Sequence, residues 1–194
     1  MRIAILTTET LHHSYFVHQV LSVFPDVKVF LQKESFVSQY NTSHELDDLQ
    51  IAAEAIAWAE INDSKIAELA ITEEFKTLNQ VSCIESIKQF NPNVTICFGT
   101  SRIGKAFLQS LCCPIFNLHG GNPQQYRGLD TNLWCVWHND FSNLAVSLHE
   151  LNENLDDGDV FSIKSVKLNA NLKLENLRTQ VTEICVDVTL NLLQ

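Results

Sequence analysis

The first 120 residues alternate between short apolar runs and longer stretches with helical spacing. Four runs have the length and the Val, Ile, Leu and Phe content of buried strands: 3–6, 27–31, 94–98 and 115–118. Between them, apolar residues that recur every three or four positions predict helices: 13–24, 46–69 (as one or two helices) and 81–90. This alternation predicts an α/β fold, in which an open, mostly parallel, Rossmann-like sheet carries helices on both faces.

The last third of the chain has a different pattern. Apolar and polar residues alternate in 144–148 and 160–168, which predicts two half-buried strands, and an acidic loop at 150–159 joins them. A short helix is predicted at 130–139, directly after a glycine-containing loop. Spacings of three and four predict an amphipathic terminal helix at 172–193.

Length and composition narrow the class of protein. The 194 residues suffice for a sizeable core, and we expect a single domain over 1–194. No apolar run approaches the roughly 18 residues of a membrane span, and the run at the N-terminus is too short for a signal peptide. We therefore expect a cytoplasmic protein with no membrane partner.

Cysteine spacing and charge exclude further classes. The six cysteines lack CxxC spacing and several lie in apolar runs, so we interpret them as reduced core thiols, with neither a metal site nor a disulfide. The 13 Lys and Arg residues against 23 Asp and Glu residues give a formal charge of −10, and the basic residues are not gathered in sequence. Because this charge repels a polyanion, we expect no nucleic-acid partner.

Candidate chemistry begins at the end of the fourth apolar run. Asn117 and His119 are two residues apart on the predicted strand, so their side chains point to the same face. Gly120, Gly121 and Pro123 end the strand and place the pair at its end, where open α/β sheets hold their chemistry. A turn-forming asparagine and a structural histidine are the alternative interpretation of the pair.

Three motifs follow one another between residues 94 and 160: Asn117-x-His119, then Tyr126-Arg127-Gly128, then His149 with Asp156 seven residues later. Their order and spacing resemble the folate-dependent formyltransferases. That family includes glycinamide ribonucleotide transformylase, the catalytic domain of methionyl-tRNA formyltransferase and the sugar N-formyltransferases. The resemblance implies the formyltransferase fold and a catalytic trio of Asn117, His119 and Asp156.

In such a trio, the amide and a protonated imidazole hydrogen-bond the formyl oxygen as negative charge develops on it. The carboxylate orients the imidazole and a water molecule that takes the proton of the attacking amine. The resemblance also implies 10-formyltetrahydrofolate as the formyl donor and co-substrate, and it implies no metal. Its pterin would lie against the backbone of two loops, 99–104 and 150–156. The donor-binding candidates in and beside these loops are: Thr100, Ser101, Arg102, Ile103, His149, Leu151 and Leu155.

The acceptor is expected to be a small-molecule amine. Candidate acceptor-binding residues lie after the first strand and in the glycine loop: Thr8, His12, His13, Asn122, Tyr126 and Arg127. Alternatives stay open for several of them. Arg127 is more simply a residue that holds its own loop together, and His12 and His13 equally well begin a helix. Trp134 and Trp137 are expected in the core, with base or ring stacking as the alternative for one of them.

Departures from the family's sequence features narrow the range of acceptors that we expect for this chain. The turn 6–11 contains no glycine, which disfavours glycinamide ribonucleotide. We expect no basic C-terminal domain, and its absence would disfavour tRNA. Nucleotide-linked amino sugars are the remaining acceptor class. Two alternatives to transfer are a hydrolase that releases formate from the same donor and a non-catalytic folate- or nucleotide-binding module. The sequence is compatible with a monomer or a homodimer.

Overall fold

The computed structural model describes residues 1–34 and 45–194. Within them the strands are: β1 Ile3–Thr8, β2 Val27–Gln32, β3 Ile71–Phe75, β4 Val94–Phe98, β5 Ile115–His119, β6 Ala145–Glu150 and β7 Val160–Ser165. The α-helices are: α1 Leu11–Val23, α2 Glu45–Ala57, α3 Ile66–Leu69, α4 Val81–Phe90, α5 Lys105–Leu108, α6 Thr131–Trp137 and α7 Leu177–Leu193. None of these helices is long and apolar enough to cross a membrane.

The described strands form one sheet in the order β3-β2-β1-β4-β5-β6-β7. The first five strands of the chain pair in parallel, whereas β6 and β7 pair antiparallel. The predicted α/β class, with an open and mostly parallel sheet, is confirmed. The strand order changes direction between β1 and β4, and ligands of open α/β sheets bind beyond the carboxyl ends of the strands at such a point.

Helices cover both faces of the sheet, and each face buries its own apolar cluster. Strands β1, β4 and β5 contribute side chains to both clusters. Helices α1, α6 and α7 pack over one face, together with Phe116 and Leu118 of β5. Helices α4 and α5 pack over the other face, together with Ile115 of the same strand. Alternation along β5 therefore places Asn117 and His119 on the α4 side of the sheet.

The structure differs from the predicted elements in an added strand, β3, and in the end of β7. Strand β3 was not predicted, because it is an edge strand whose Ile71 is 74% exposed and whose centre is Glu73-Glu74. The predicted strand 160–168 ends at Ser165. The predicted helix 46–69 is divided into α2 and α3, with a 3₁₀ turn, Ala59–Ile61, between them.

The expectation that Trp134 and Trp137 lie in the core was wrong. Their exposed fractions are 52% and 76%. Helix α6 has only seven residues and packs on the sheet through Leu133, Cys135 and Val136, so the two tryptophans, three residues apart, share its solvent face. The terminal helix is confirmed, and it buries Leu177 and other apolar residues against α1 and β6.

Candidate active site

The candidate site starts from the pairing of β5 with β6. Asn117 lies opposite His149, and His119 lies opposite Ser147 in the antiparallel register. Opposed residues of an antiparallel pair point to the same face, so the amide and both imidazoles meet on the α4 side of the sheet. His119 is 6% exposed and His149 is 1% exposed.

The loop after β6 brings a carboxylate to this group. It leaves the sheet at the level of Ile115, whose carbonyl accepts the N–H of Leu151, and then turns back towards the end of β5. Asp156 has a left-handed backbone with φ of 45°, which is unusual for a residue other than glycine. Its Oδ2 accepts the backbone N–H of Gly128 at 2.8 Å, so the loops after β5 and β6 are joined at this carboxylate.

Asn117, His119, His149 and Asp156 form what we call the polar cluster. Around the carboxylate the contacts are long: Oδ1 lies 3.4 Å from Asn117 Nδ2 and 3.6 Å from His149 Nε2, and Oδ2 lies 3.5 Å from His119 Nδ1. The contacts that hold the rings from behind are shorter. His119 Nε2 is 2.9 Å from the Tyr126 carbonyl oxygen, and His149 Nδ1 is 2.9 Å from that of Glu150.

This difference in length has a chemical consequence. The 2.9 Å contacts to the Tyr126 and Glu150 carbonyl oxygens fix the two rings from behind. We call the 3.4–3.6 Å contacts around the Asp156 carboxylate the front contacts; at these distances their hydrogen bonds are weak. A carbonyl group that enters between them can take the hydrogens of Asn117 Nδ2 and of a protonated His119 Nδ1. The arrangement is that of an oxyanion site beside a carboxylate base.

Charge and burial oppose each other in the polar cluster. Burial lowers the pKa of His119, and the Asp156 charge and the Tyr126 carbonyl only partly counteract this. Burial by itself would raise the pKa of Asp156, but the neighbouring His149 and His119 rings and the hydrogen bond from the Gly128 N–H outweigh it and hold the pKa below its usual value. Asp156 is therefore ionised at neutral pH.

Apart from His149, which belongs to β6 and to the polar cluster, the donor-binding candidates occupy the two loops beside the cluster. Ile103 is 3% exposed and lies in the α4-side core, so only its backbone can face a ligand. Leu151 packs against the same core from its edge, whereas Leu155 is 56% exposed. Ser101 Oγ accepts a hydrogen bond from Gln32 at 2.7 Å.

Charged side chains join these two loops to each other. Arg102 donates to the carbonyl of Glu153, and Lys105 Nζ lies 2.9 Å from the Glu153 carboxylate. Thr100 is half-buried at the start of its loop. The structure thus brings both predicted donor loops together at one side of the polar cluster.

The acceptor-binding candidates after β1 make their polar contacts with other residues of the protein. Thr8 Oγ1 donates to the Gly99 carbonyl at 3.1 Å and also lies 3.1 Å from His13 Nδ1. His13 is 4% exposed and lies against Gly99, where an added Cβ would be 2.3 Å from the ring. His12 Nδ1 is 3.3 Å from Glu54 Oε1. For His13, the structure favours the interpretation of a helix start over a direct ligand contact, and Thr8 is engaged in hydrogen bonds within the fold.

The sequence analysis did not predict the contact of His12 with Glu54 or the ion pair of Glu54 with Arg178. Glu54 of α2 is buried, and it accepts from Arg178 of α7 as well as contacting His12 of α1. Burial raises the pKa of Glu54, but the hydrogen bonds with His12 and Arg178 outweigh burial and lower it. No spacing in the chain links residues 124 positions apart, so no sequence signal could have found this pair.

The candidates in the glycine loop hold the loop in shape. Arg127 Nε donates to the Pro123 carbonyl at 2.8 Å and its Nη2 lies 2.6 Å from Asp157 Oδ1, which confirms the interpretation of Arg127 as a residue that holds its own loop. Tyr126 donates its hydroxyl to Asp140 at 3.0 Å. Asn122 Nδ2 donates to Asn143 Oδ1 at 2.8 Å.

A cleft opens between this loop and the loop of Asp156. It has a volume of about 390 Å³ and contains the catalytic candidate Asp156 in its wall. Its other lining residues come from the two loops: Pro123, Gln124, Arg127, Asp157, Gly158, Asp159 and Val160. The cleft gives a small molecule access to the carboxylate side of the polar cluster.

Comparison with known proteins adds to this geometry. The family model described as formyl transferase matches residues 37–191. A curated relative, the methionyl-tRNA formyltransferase of Sulfurimonas denitrificans, is 32% identical over 81 residues, which is 42% of this chain. The match spans only 26% of that relative's length.

Two solved structures show the same fold. The phosphoribosylglycinamide formyltransferase of Streptococcus pneumoniae superposes with a TM-score of 0.66 and 14% identity, over 100% of this chain and 99% of that one. A Mycobacterium tuberculosis protein proposed to be a sugar N-formyltransferase superposes with a TM-score of 0.59 and 15% identity, over 98% of this chain and 65% of that one. At these identities the likeness concerns the fold alone.

Proposed function

The chain belongs to the formyl transferase family, and from that premise we propose that it transfers a formyl group from 10-formyltetrahydrofolate to a primary amine of a small molecule. One observation carries the proposal. An amide, an imidazole and a carboxylate converge with front contacts of 3.4 and 3.5 Å, while shorter hydrogen bonds fix the imidazole and the carboxylate from behind.

These residues have separate tasks in the proposed reaction. Asn117 Nδ2 and protonated His119 Nδ1 donate hydrogen bonds to the formyl oxygen while the amine nitrogen bonds to the formyl carbon. Asp156 accepts a proton from the amine, directly or through one water molecule, and its negative charge favours protonated His119. The bond between the formyl carbon and the donor nitrogen then breaks, and that nitrogen takes up a proton.

The folate donor fits the side of the polar cluster where the two donor loops meet. Leu151, which is partly buried, gives that side an apolar surface, and the backbone of the two loops offers polar groups at its rim. A flat heterocycle with polar edges requires this combination. Arg102 and Lys105, which hold Glu153, set the distance between the two loops.

For the acceptor, we propose a nucleotide-linked amino sugar. A small acceptor suits the cleft of about 390 Å³ beside Asp156, and the formal charge of −10 opposes a polynucleotide. Thr8 and His13 are engaged with the fold, so the place after β1 offers little to a bare phosphate group. The fold neighbour from M. tuberculosis supports the same acceptor class by analogy alone.

The test is formyl transfer to a panel of amines that includes nucleotide-linked amino sugars, with the formylated product detected by mass spectrometry. We expect Asn117→Ala, His119→Ala and Asp156→Ala to abolish transfer while circular dichroism stays native. Wild-type turnover in the Asp156→Ala variant would refute the mechanism. Formate release without any acceptor would identify a hydrolase, and tight donor binding with no turnover would identify a binding module.

A further inference from the structure

His149 is the member of the polar cluster that the proposed reaction leaves without a task. It is 1% exposed and lies directly opposite Asn117 in the pairing of β5 with β6. Its Nδ1 is 2.9 Å from the carbonyl oxygen of Glu150, which can only accept a hydrogen bond. The ring therefore carries its proton on Nδ1, and in the neutral form Nε2 presents a lone pair.

That lone pair faces the amide of Asn117. His149 Nε2 is 3.2 Å from Asn117 Nδ2, so the amide donates one N–H to the imidazole. The second N–H of Nδ2 points towards Asp156 Oδ1, 3.4 Å away, where the formyl oxygen is proposed to bind. A flipped amide would set its oxygen against both the imidazole lone pair and the carboxylate, and both contacts would be repulsive.

We infer that His149 is a positioning residue: neutral and protonated on Nδ1, it fixes the amide of Asn117 with its N–H groups towards the reacting formyl oxygen. This inference deepens the proposed function. Its expectations for kcat and KM rest on the proposed function, whereas its expectation for the His149 tautomer does not. Protonation of Nε2 would reverse the preference, because an N–H would then face Asn117 Nδ2, and the flipped amide would present its oxygen instead.

The groups around the His149 ring determine which of its nitrogens carries the proton. Among residues 1–34 and 45–194, the charged or titratable groups that face the His149 ring are the Asp156 carboxylate, 3.6 Å from Nε2, and His119, whose ring centroid lies 6.1 Å away. From the neighbouring strand β7, the residue opposite His149 is the uncharged Val160. The Glu150 carbonyl at Nδ1 therefore selects the tautomer of the neutral ring.

Two substitutions separate orientation from packing. His149→Leu removes the acceptor for the Asn117 N–H at every pH, whereas His149→Gln supplies an amide oxygen that accepts it independently of pH. We expect kcat to fall about 10- to 100-fold in His149→Leu with KM for the donor nearly unchanged, as for other partners that orient a reacting group. We expect His149→Gln to keep kcat within about fivefold of the wild type at neutral pH.

The tautomer is measured independently of activity. In the ¹⁵N-labelled wild type, the His149 signals, assigned by their loss in His149→Gln, are expected to show a neutral ring protonated at Nδ1. His18→Gln, a substitution on α1 away from the polar cluster, is the matched control and should leave kinetics and these signals unchanged.

Several results would overturn the inference. A neutral ring protonated at Nε2 would do so, as would a wild-type kcat in His149→Leu or a kcat in His149→Gln as low as that of His149→Leu. If no amine is formylated by the wild type, the proposed function fails, and the NMR measurement alone then decides whether His149 has the tautomer on which the inference rests.

Discussion

Replacing Gly158 with alanine is expected to displace the segment that carries Asp156. A Cβ at this position would lie 1.7 Å from the carbonyl oxygen of Glu150 and 2.7 Å from its carbon. Both are backbone atoms at the end of β6, and the Glu150 N–H is itself bonded to the Asp159 carbonyl at 2.9 Å. The strand cannot yield easily, so the loop must move.

The size of the movement follows from these distances. An ordinary contact of a Cβ atom begins at 3.4 Å, so the loop has to retreat by about 1.7 Å. Asp156, two residues away, already makes front contacts of 3.4–3.6 Å and would lose them. Since a misplacement of about 1 Å can cost 100-fold in rate, we expect kcat to fall at least about 100-fold.

The assay is formyl transfer under saturating donor, with Gly120→Ala as the matched control. Gly120 directly follows His119, but an added Cβ there would have its nearest neighbours at 3.8 and 3.9 Å, in ordinary contact. We expect Gly120→Ala to keep kcat within about threefold, because no atom has to move. Overpacking should also lower the free energy of unfolding of Gly158→Ala by about 1–3 kcal/mol, measured by urea denaturation.

The reasoning fails if Gly158→Ala keeps both wild-type kcat and wild-type stability. It also fails if Gly120→Ala loses as much activity as Gly158→Ala, because crowding at Glu150 would then not be the cause.

Three further predictions concern stability and are tested by urea denaturation. Burial, followed by the charge of His12, lowers the pKa of His13 well below 6.5. Below pH 6.5 the unfolded chain binds a proton at this histidine, whereas the folded chain does not. Lowering the pH from 7.5 to 5.5 is therefore expected to reduce the free energy of unfolding by about 1.4 kcal/mol through His13. In His13→Asn the pH dependence should be smaller by that amount, and an unchanged slope would contradict this. Arg178→Met leaves the buried Glu54 carboxylate without its guanidinium partner and should cost roughly 3 kcal/mol; adding Glu54→Leu should regain part of it, and equal losses in both variants would contradict this. Leu148→Ala empties a fully buried position of β6 and should cost about 2–5 kcal/mol; a loss below 1 kcal/mol would show that the core refills the cavity.

Much of the sheet was predictable because its central strands are buried on both faces. β1, β2, β4 and β5 appear as apolar runs, since helices cover both sides of each of them. The edge strand β3 shows no such pattern, and Trp134 and Trp137 point to solvent although their apolar character suggested the core. At such positions the amount of neighbouring structure, and not the residue type, decides burial.

The sequence by itself determined the α/β class and the placing of Asn117 and His119 on one face, because a strand alternates its side chains with a period of two. It also determined the family, through the order and spacing of short motifs. Only the tertiary structure decided how Asp156 returns to that face and that His149 lies opposite Asn117. The joining of Glu54 to Arg178 was decided in the same way. These contacts depend on strand register and on the path of loops, which set distances between residues far apart in the chain and leave no local pattern in it.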